Sequence, residues 1–263
     1  MASETQPVVI YEKRPGRVAV VTLNRPQALN ACNRLMWKAL AETWEAIAKD
    51  DEVSVVVLTG AGDRAFCVGA DLKEMANRSA GDDTPRQDVR KMLETWDLDL
   101  WKPIVCAVNG YALGSGVNMV MSTDIRIASE HATFGLSQIK WGLVSGHGTQ
   151  LLPRFLSYSL GMEMLLTGES ISAQRAYEIG LVNKVVPKER LMDEAMAMAQ
   201  KIAGYAPLAL QGIKEAAVRG LGFTLKDAIA WGLRMEELNN ATEDAKEGPI
   251  AFAEKRPPQW KGR

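Results

Sequence analysis

Two continuous apolar runs, Val53 to Thr59 and Ile104 to Val108, each end in a glycine-bearing turn, Gly60-Ala61-Gly62 in one case and Asn109-Gly110 in the other. A run with no polar interruption fits a strand buried on both faces, as happens when helices cover a largely parallel sheet. Arg17 to Leu23 is a third strand candidate, because Val18, Val20, Val21 and Leu23 lie between Pro15-Gly16 and Asn24-Arg25-Pro26. Met36, Leu40, Trp44 and Ile47 recur at helical spacing, so about Arg34 to Lys49 reads as an amphipathic helix. Strand, helix, strand, glycine turn and helix in succession argue for ββα or βαβ units and an α/β core.

The chain has 263 residues, enough for one sizeable core or one domain with an appended segment. From Leu151 onward the pattern becomes mostly helical. Ser172 to Gly180 carries an N-cap serine and a closing glycine, and Glu189 to Ile202 and Thr224 to Asn239 follow the helical period. Asn77 to Arg90 has the weakest pattern, and its polar centre, Ser79 to Pro85, is expected to be a mobile loop.

Apolar content of 47% and charged content of 24% are ordinary for a soluble globular protein, and a net charge of −1 argues against nucleic acid or an anionic membrane surface as a partner. The cysteines Cys32, Cys67 and Cys106 form no CxxC pair. Reduced thiols in the cytoplasm are the simpler expectation, without a disulfide framework or a cysteine zinc site. Met1 to Gln6 shows no signal core, and no apolar run reaches the roughly 18 residues of a membrane span. No His, Asp and Glu cluster has metal-ligand spacing, so no metal is expected.

Two segments carry chemistry. Ala65 to Met75, with Phe66-Cys67-Val68-Gly69-Ala70-Asp71-Leu72-Lys73 at its centre, passes from a strand through small residues into a helix start. Ala107 to Gly116, ending Asn109-Gly110-Tyr111-Ala112-Leu113-Gly114-Ser115-Gly116, does the same. Small residues let the backbone approach a ligand, and helix starts leave N–H groups free for an anion. Either segment alone is equally a tight turn with no ligand.

Together and in this order, the segments resemble the oxyanion hole of the crotonase (enoyl-CoA hydratase/isomerase) superfamily. The likeness extends through Asn24-Arg25-Pro26-Gln27-Ala28-Leu29-Asn30-Ala31, Phe134-Gly135, Trp141-Gly142-Leu143, Leu166-Thr167-Gly168-Glu169, Gly180-Leu181-Val182 and Phe252-Ala253-Glu254-Lys255-Arg256. It implies the crotonase (ClpP-like) fold: repeated ββα units forming a spiral core over residues 1–200, then a helical trimerisation region over 201–263. It also implies an acyl-CoA substrate, with coenzyme A as part of the thioester and no tightly bound cofactor, and a homotrimer or homohexamer.

On this resemblance the N–H groups of Ala70 and Ser115 polarise the thioester carbonyl. Ser115 departs from the usual glycine but keeps its backbone N–H. The coenzyme A contacts fall on Arg25, Ala28, Leu29, Asn30, Val68, Ala70, Asp71, Leu72, Lys73 and Phe252, with Lys255 supplied by a neighbouring subunit. Arg25, Lys73 and Lys255 are candidates for the phosphates, against the plainer reading of solvated surface charge. Asp71 also suits a helix start, where an acid is stabilising, and Asp124 resembles a structural aspartate.

The two glutamate positions of the family's hydratases hold Asn118 and Gln138. A carboxamide cannot give or take a proton as a carboxylate does, so standard hydration is doubtful on this reading. His147, between Gly146 and Gly148, is the replacement proton carrier, or else a helix-capping or surface histidine. His131, in a polar turn, reads as surface. Three functions follow: an acyl-CoA enzyme with non-standard chemistry (hydrolysis, C–C cleavage or decarboxylation), a weak enoyl-CoA hydratase or isomerase of fatty-acid degradation, or a catalytically silent acyl-CoA-binding protein.

Overall fold

The computed structural model describes residues 6–77 and 99–263. The expected mobile loop therefore falls, apart from Asn77, outside the described residues. The larger sheet contains β1 (Val9–Arg14), β2 (Val18–Leu23), β3 (Val55–Gly60), β5 (Ile104–Val108), β7 (Ile125–Ser129) and β10 (Lys184–Val186), in that spatial order. Only β1, an edge strand, runs antiparallel to its neighbour; β2, β3, β5, β7 and β10 pair in parallel. The smaller sheet contains β4 (Ala65–Cys67), β6 (Tyr111–Leu113), β8 (Thr133–Gly135) and β9 (Ile171–Ser172), with β4, β6 and β8 parallel.

The connectivity explains the alternation of apolar run and small-residue turn. Each of β3, β5 and β7 crosses directly into β4, β6 and β8 respectively, and a helical segment follows. These are α2 (Leu72–Ala76), α3 (Ser115–Met121) and a 3-10 turn at Ser137–Trp141. One step is thus strand, strand, helix, and stacking three steps winds the chain into a spiral. The α/β crotonase fold expected from the resemblance is present.

Both faces of the larger sheet are covered, which is why its strands lack polar alternation. Ala19, Val21, Val56, Leu58, Cys106 and Val108 face a core closed by Met36, Leu40, Trp44 and Ile47 of α1 (Arg34–Ala48). Val18, Val20, Val55, Val57, Val105 and Ile127 face Leu191, Ala195 and Ala199 of α7 (Leu191–Ala203). Ahead of α7 in the chain come α4 (Gly148–Phe155), α5 (Tyr158–Thr167) and α6 (Ala173–Glu178), the last capped by the Ser172 hydroxyl. The sequence pattern located β2, β3, β5, α1 and α6 within a residue or two. It missed β1, β7 and β10 of the larger sheet and the strands of the smaller sheet, whose runs of two or three residues carry no period.

The chain closes with α8 (Pro207–Gly220), α9 (Leu225–Asn240) and α10 (Glu243–Glu254). Lys214 anchors α8: its buried ammonium donates to the Lys102 carbonyl at 3.0 Å and to Asp124 Oδ2 at 2.8 Å. Asp124 Oδ2 also accepts from Ile104 N–H at 2.7 Å, so one carboxylate joins the start of β5 to the C-terminal helices. Leu225, Leu233 and Phe252 stay exposed on α9 and α10. Replacing Lys214 by Met leaves Asp124 and the Lys102 carbonyl short of a donor; a loss of about 1–3 kcal/mol in unfolding free energy is expected, read as a lower urea midpoint.

Candidate active site

The turn after β4 brings Ala70 beside Cys32 in a single parallel bridge. Cys32 N–H donates to the Gly69 carbonyl at 2.7 Å, and Asp71 N–H donates to the Cys32 carbonyl at 3.0 Å. Because the peptide between Gly69 and Ala70 is trans, its N–H points opposite its carbonyl, so Ala70 N–H faces away from Cys32. Gly69 holds φ +95°, a backbone conformation that side chains disfavour. Asp71 then caps α2, accepting from Glu74 N–H at 3.3 Å.

The turn after β6 presents the second peptide. Gly114 N–H donates to the Gly135 carbonyl at 2.8 Å, and the Gly114 carbonyl accepts from Asn118 N–H at 3.3 Å. That carbonyl points along α3, so Ser115 N–H points out of the helix start. The two turns touch: a Cβ built on Gly69 would lie 3.1 Å from Ser115 N. The donor-bearing peptides at 69–70 and 114–115 are therefore direct neighbours in space.

The two amides differ in their surroundings. Asn118 is buried on α3, and both ends of its carboxamide meet the Ser145 hydroxyl, at 3.3 Å to Nδ2 and 3.4 Å to Oδ1. Ser145, itself buried, also accepts from Gly148 N–H at 3.0 Å. Gln138 lies against Gly114, where an added Cβ would fall 3.4 Å from Nε2, and its buried Oε1 has no hydrogen-bond partner. The sequence reading missed Ser145. Its only signal is a serine beside Gly146 in a turn expected at the pocket.

His147 occupies the N-cap of α4 without a side-chain cap. Its carbonyl accepts from Gln150 and Leu151, and its ring Nε2 is buried. The imidazole is thus neither a side-chain cap nor fully on the surface. His131 is exposed, as expected.

Eight of the coenzyme A candidates line one groove of about 570 Å3: Arg25, Ala28, Leu29, Val68, Ala70, Asp71, Leu72 and Lys73, joined by Gln27, Ala31, Glu74 and Asn77. Asn30 is a correction. It is fully buried, its Oδ1 accepting from Arg25 N–H and its Nδ2 donating to the Ala61 and Ala65 carbonyls, so it braces the loop and faces no ligand. Arg25 lines the groove, with its guanidinium turned inward: both Nη atoms lie 3.1 Å from Asp71 Oδ2 and a further bond runs to the Ala31 carbonyl, which leaves Lys73 as the exposed cation of this groove. Phe252 and Lys255 lie on and after α10, outside the groove of their own chain.

Burial pushes the Asp71 carboxyl up, but the Glu74 N–H and the Arg25 guanidinium outweigh it and hold the group below its usual value. Burial pushes the Cys32 thiol well up and the Cys106 thiol up to about 12. All three cysteines are free and buried. Among the described residues, no group of three His, Cys, Asp or Glu side chains is placed to hold a metal, and no helix is long and apolar enough to cross a membrane.

The family model for enoyl-CoA hydratase/isomerase matches residues 13–263, so the chain belongs to that family. It is 42% identical over 253 residues to an (E)-benzylidenesuccinyl-CoA hydratase of Thauera aromatica, covering 93% of this chain and 96% of the relative. It is 41% identical over 251 residues to a 2,3-dehydroadipyl-CoA hydratase of Escherichia coli (strain K12), covering 95% and 97% respectively. The crystal structure of an enoyl-CoA hydratase from Bacillus anthracis superposes with a TM-score of 0.91 at 36% identity, covering 97% of this chain and all of that one. The expectation that standard hydratase activity is doubtful is not borne out by these likenesses, because the relatives are named hydratases.

The Arg25–Asp71 pair has a pH signature. Asp71 titrates below its unfolded value of about 3.9, so its contribution is complete above that pH and is lost as pH falls through the lower folded value. Arg25→Met is expected to cost about 1–2 kcal/mol at pH 7, with the gap to the wild type narrowing as the pH is taken below 4; urea unfolding at pH 7 and pH 3 checks this.

Proposed function

We propose that the protein acts on the thioester carbonyl of an acyl-CoA, holding the developing oxyanion or enolate between the N–H groups of Ala70 and Ser115. The observation that carries this reading is the direct contact of the 69–70 and 114–115 peptides at the heads of α2 and α3. Each such donor contributes about 3 kcal/mol in the transition state. The groove that ends at Ala70 takes the coenzyme A moiety, with Lys73 at its phosphates.

The acyl group then meets amides in place of carboxylates. Asn118 is held by Ser145 and Gln138 stands against Gly114, and neither takes up or releases a proton. This favours a reaction that needs the oxyanion site but no carboxylate pair: hydrolysis, C–C cleavage or decarboxylation. His147 is the proton carrier in that scheme, since an imidazole can both accept and donate near neutral pH. On the same reading the enzyme is cytoplasmic, and Phe252 and Lys255 complete the groove of a neighbouring copy in a trimer or hexamer. A monomer in sedimentation would overturn the assembly.

A second reading, a slow enoyl-CoA hydratase, is favoured by the names of the relatives and by the capacity of two amides to orient water. Crotonyl-CoA hydration decides between them. Turnover within about tenfold of an ordinary hydratase overturns the first reading, whose cost from two missing acid–base groups exceeds that margin. Binding of CoA thioesters with no turnover in hydration, hydrolysis or C–C cleavage assays would instead mark a silent binding protein.

Two variants sharpen the test. Gln138→Glu is expected to raise crotonyl-CoA hydration by about 10²-fold, whereas Asn118→Glu gains less because Ser145 holds that position. His147→Ala is expected to slow turnover of the true substrate by about 10²-fold, and an unchanged rate removes His147 from the mechanism.

A further inference from the structure

We propose that Cys67 is a positioning residue that sets the spacing between the Ala70 and Ser115 N–H groups; this rests on the oxyanion reading above. Cys67 ends β4 and is fully buried, so it acts only through its neighbours. Its sulfur accepts from Gly69 N–H at 3.4 Å, one peptide before the Ala70 donor. Its carbonyl oxygen lies against Gly116, one residue after the Ser115 donor. A Cβ built on Gly116 would fall 2.0 Å from that oxygen and 3.2 Å from Cys67 Cβ. One residue is thus in contact with both halves of the site.

The thiol is itself braced from behind. Cys32 Sγ lies 3.6 Å from Cys67 Sγ and 3.5 Å from Met36 Sδ, while the Cys32 backbone bonds on both sides of Ala70. Sulfur is a large acceptor that bonds at long range, so it spans a gap that a smaller side chain leaves open. Truncation at Cys67 would free Gly69 N–H from its partner and leave a void against Cys32. The 69–70 peptide can then turn while the greater part of the coenzyme A groove, from Arg25 to Leu29 and from Leu72 to Asn77, stays in place.

The test separates carbonyl polarisation from binding. Butyryl-CoA labelled with 13C at its carbonyl is bound to wild type, Cys67→Ala, Cys67→Ser and, as a buried-cysteine control, Cys106→Ala. Infrared difference spectra read the thioester stretch, and calorimetry with coenzyme A alone reads the groove. The expected result is a lowered carbonyl stretch in wild type and Cys106→Ala, most of that shift lost in Cys67→Ala, a partial shift in Cys67→Ser, and unchanged coenzyme A affinity throughout. A full shift in Cys67→Ala, or a parallel loss of coenzyme A affinity, overturns the positioning role. Absence of any shift in wild type overturns the oxyanion reading itself. Where Cys67→Ala does not fold, Cys67→Ser decides on the same readouts.

Discussion

The structure depends on one close approach, that of the strand-to-helix turn at Cys67–Ala70 to the strand-to-helix turn at Gly114–Gly116. No side chain fits at the point of contact, because a Cβ on Gly116 would overlap the Cys67 carbonyl. Each turn passes from the smaller sheet into a helix, so the approach brings two helix starts together. Helix starts leave N–H groups without internal partners. The spiral of ββα steps thereby sets the backbone N–H groups of two helix starts side by side.

That geometry rests on backbone and not on side chains, so Ser115 presents the same N–H group that a glycine would. The side chains beside the two turns are a different matter, and Asn118 and Gln138 are amides with different surroundings. Asn118 is occupied by Ser145, which Gly148 N–H in turn orients. Gln138 keeps a buried oxygen without a partner beside Gly114. An unpaired buried acceptor is costly, so the two amides differ in how far the surrounding protein satisfies them.

The groove shows how far residue type carries an argument. The small and apolar positions Ala28, Leu29, Val68 and Leu72 line it as their place in the sequence suggested. The polar side chains of Arg25 and Asn30 turn instead to partners within the protein, although Arg25 still lines the groove. Arg25 is drawn inward by Asp71, and Asn30 bonds three backbone groups, the Arg25 N–H and the Ala61 and Ala65 carbonyls. Long polar side chains choose among partners according to burial, and burial is not written in local sequence.

The amino-acid sequence by itself determined β2, β3 and β5 of the larger sheet, the amphipathic α1, the two small-residue turns and the neutral character of positions 118 and 138. These follow from local periodicity, turn chemistry and side-chain identity. Only the tertiary structure decided that Ser145 holds Asn118, that Asp71 claims Arg25 and that Cys67 touches both halves of the site. Those partners are 27, 46 and up to 49 residues apart along the chain. Their pairing is a product of sheet crossover and helix stacking, which no local pattern encodes.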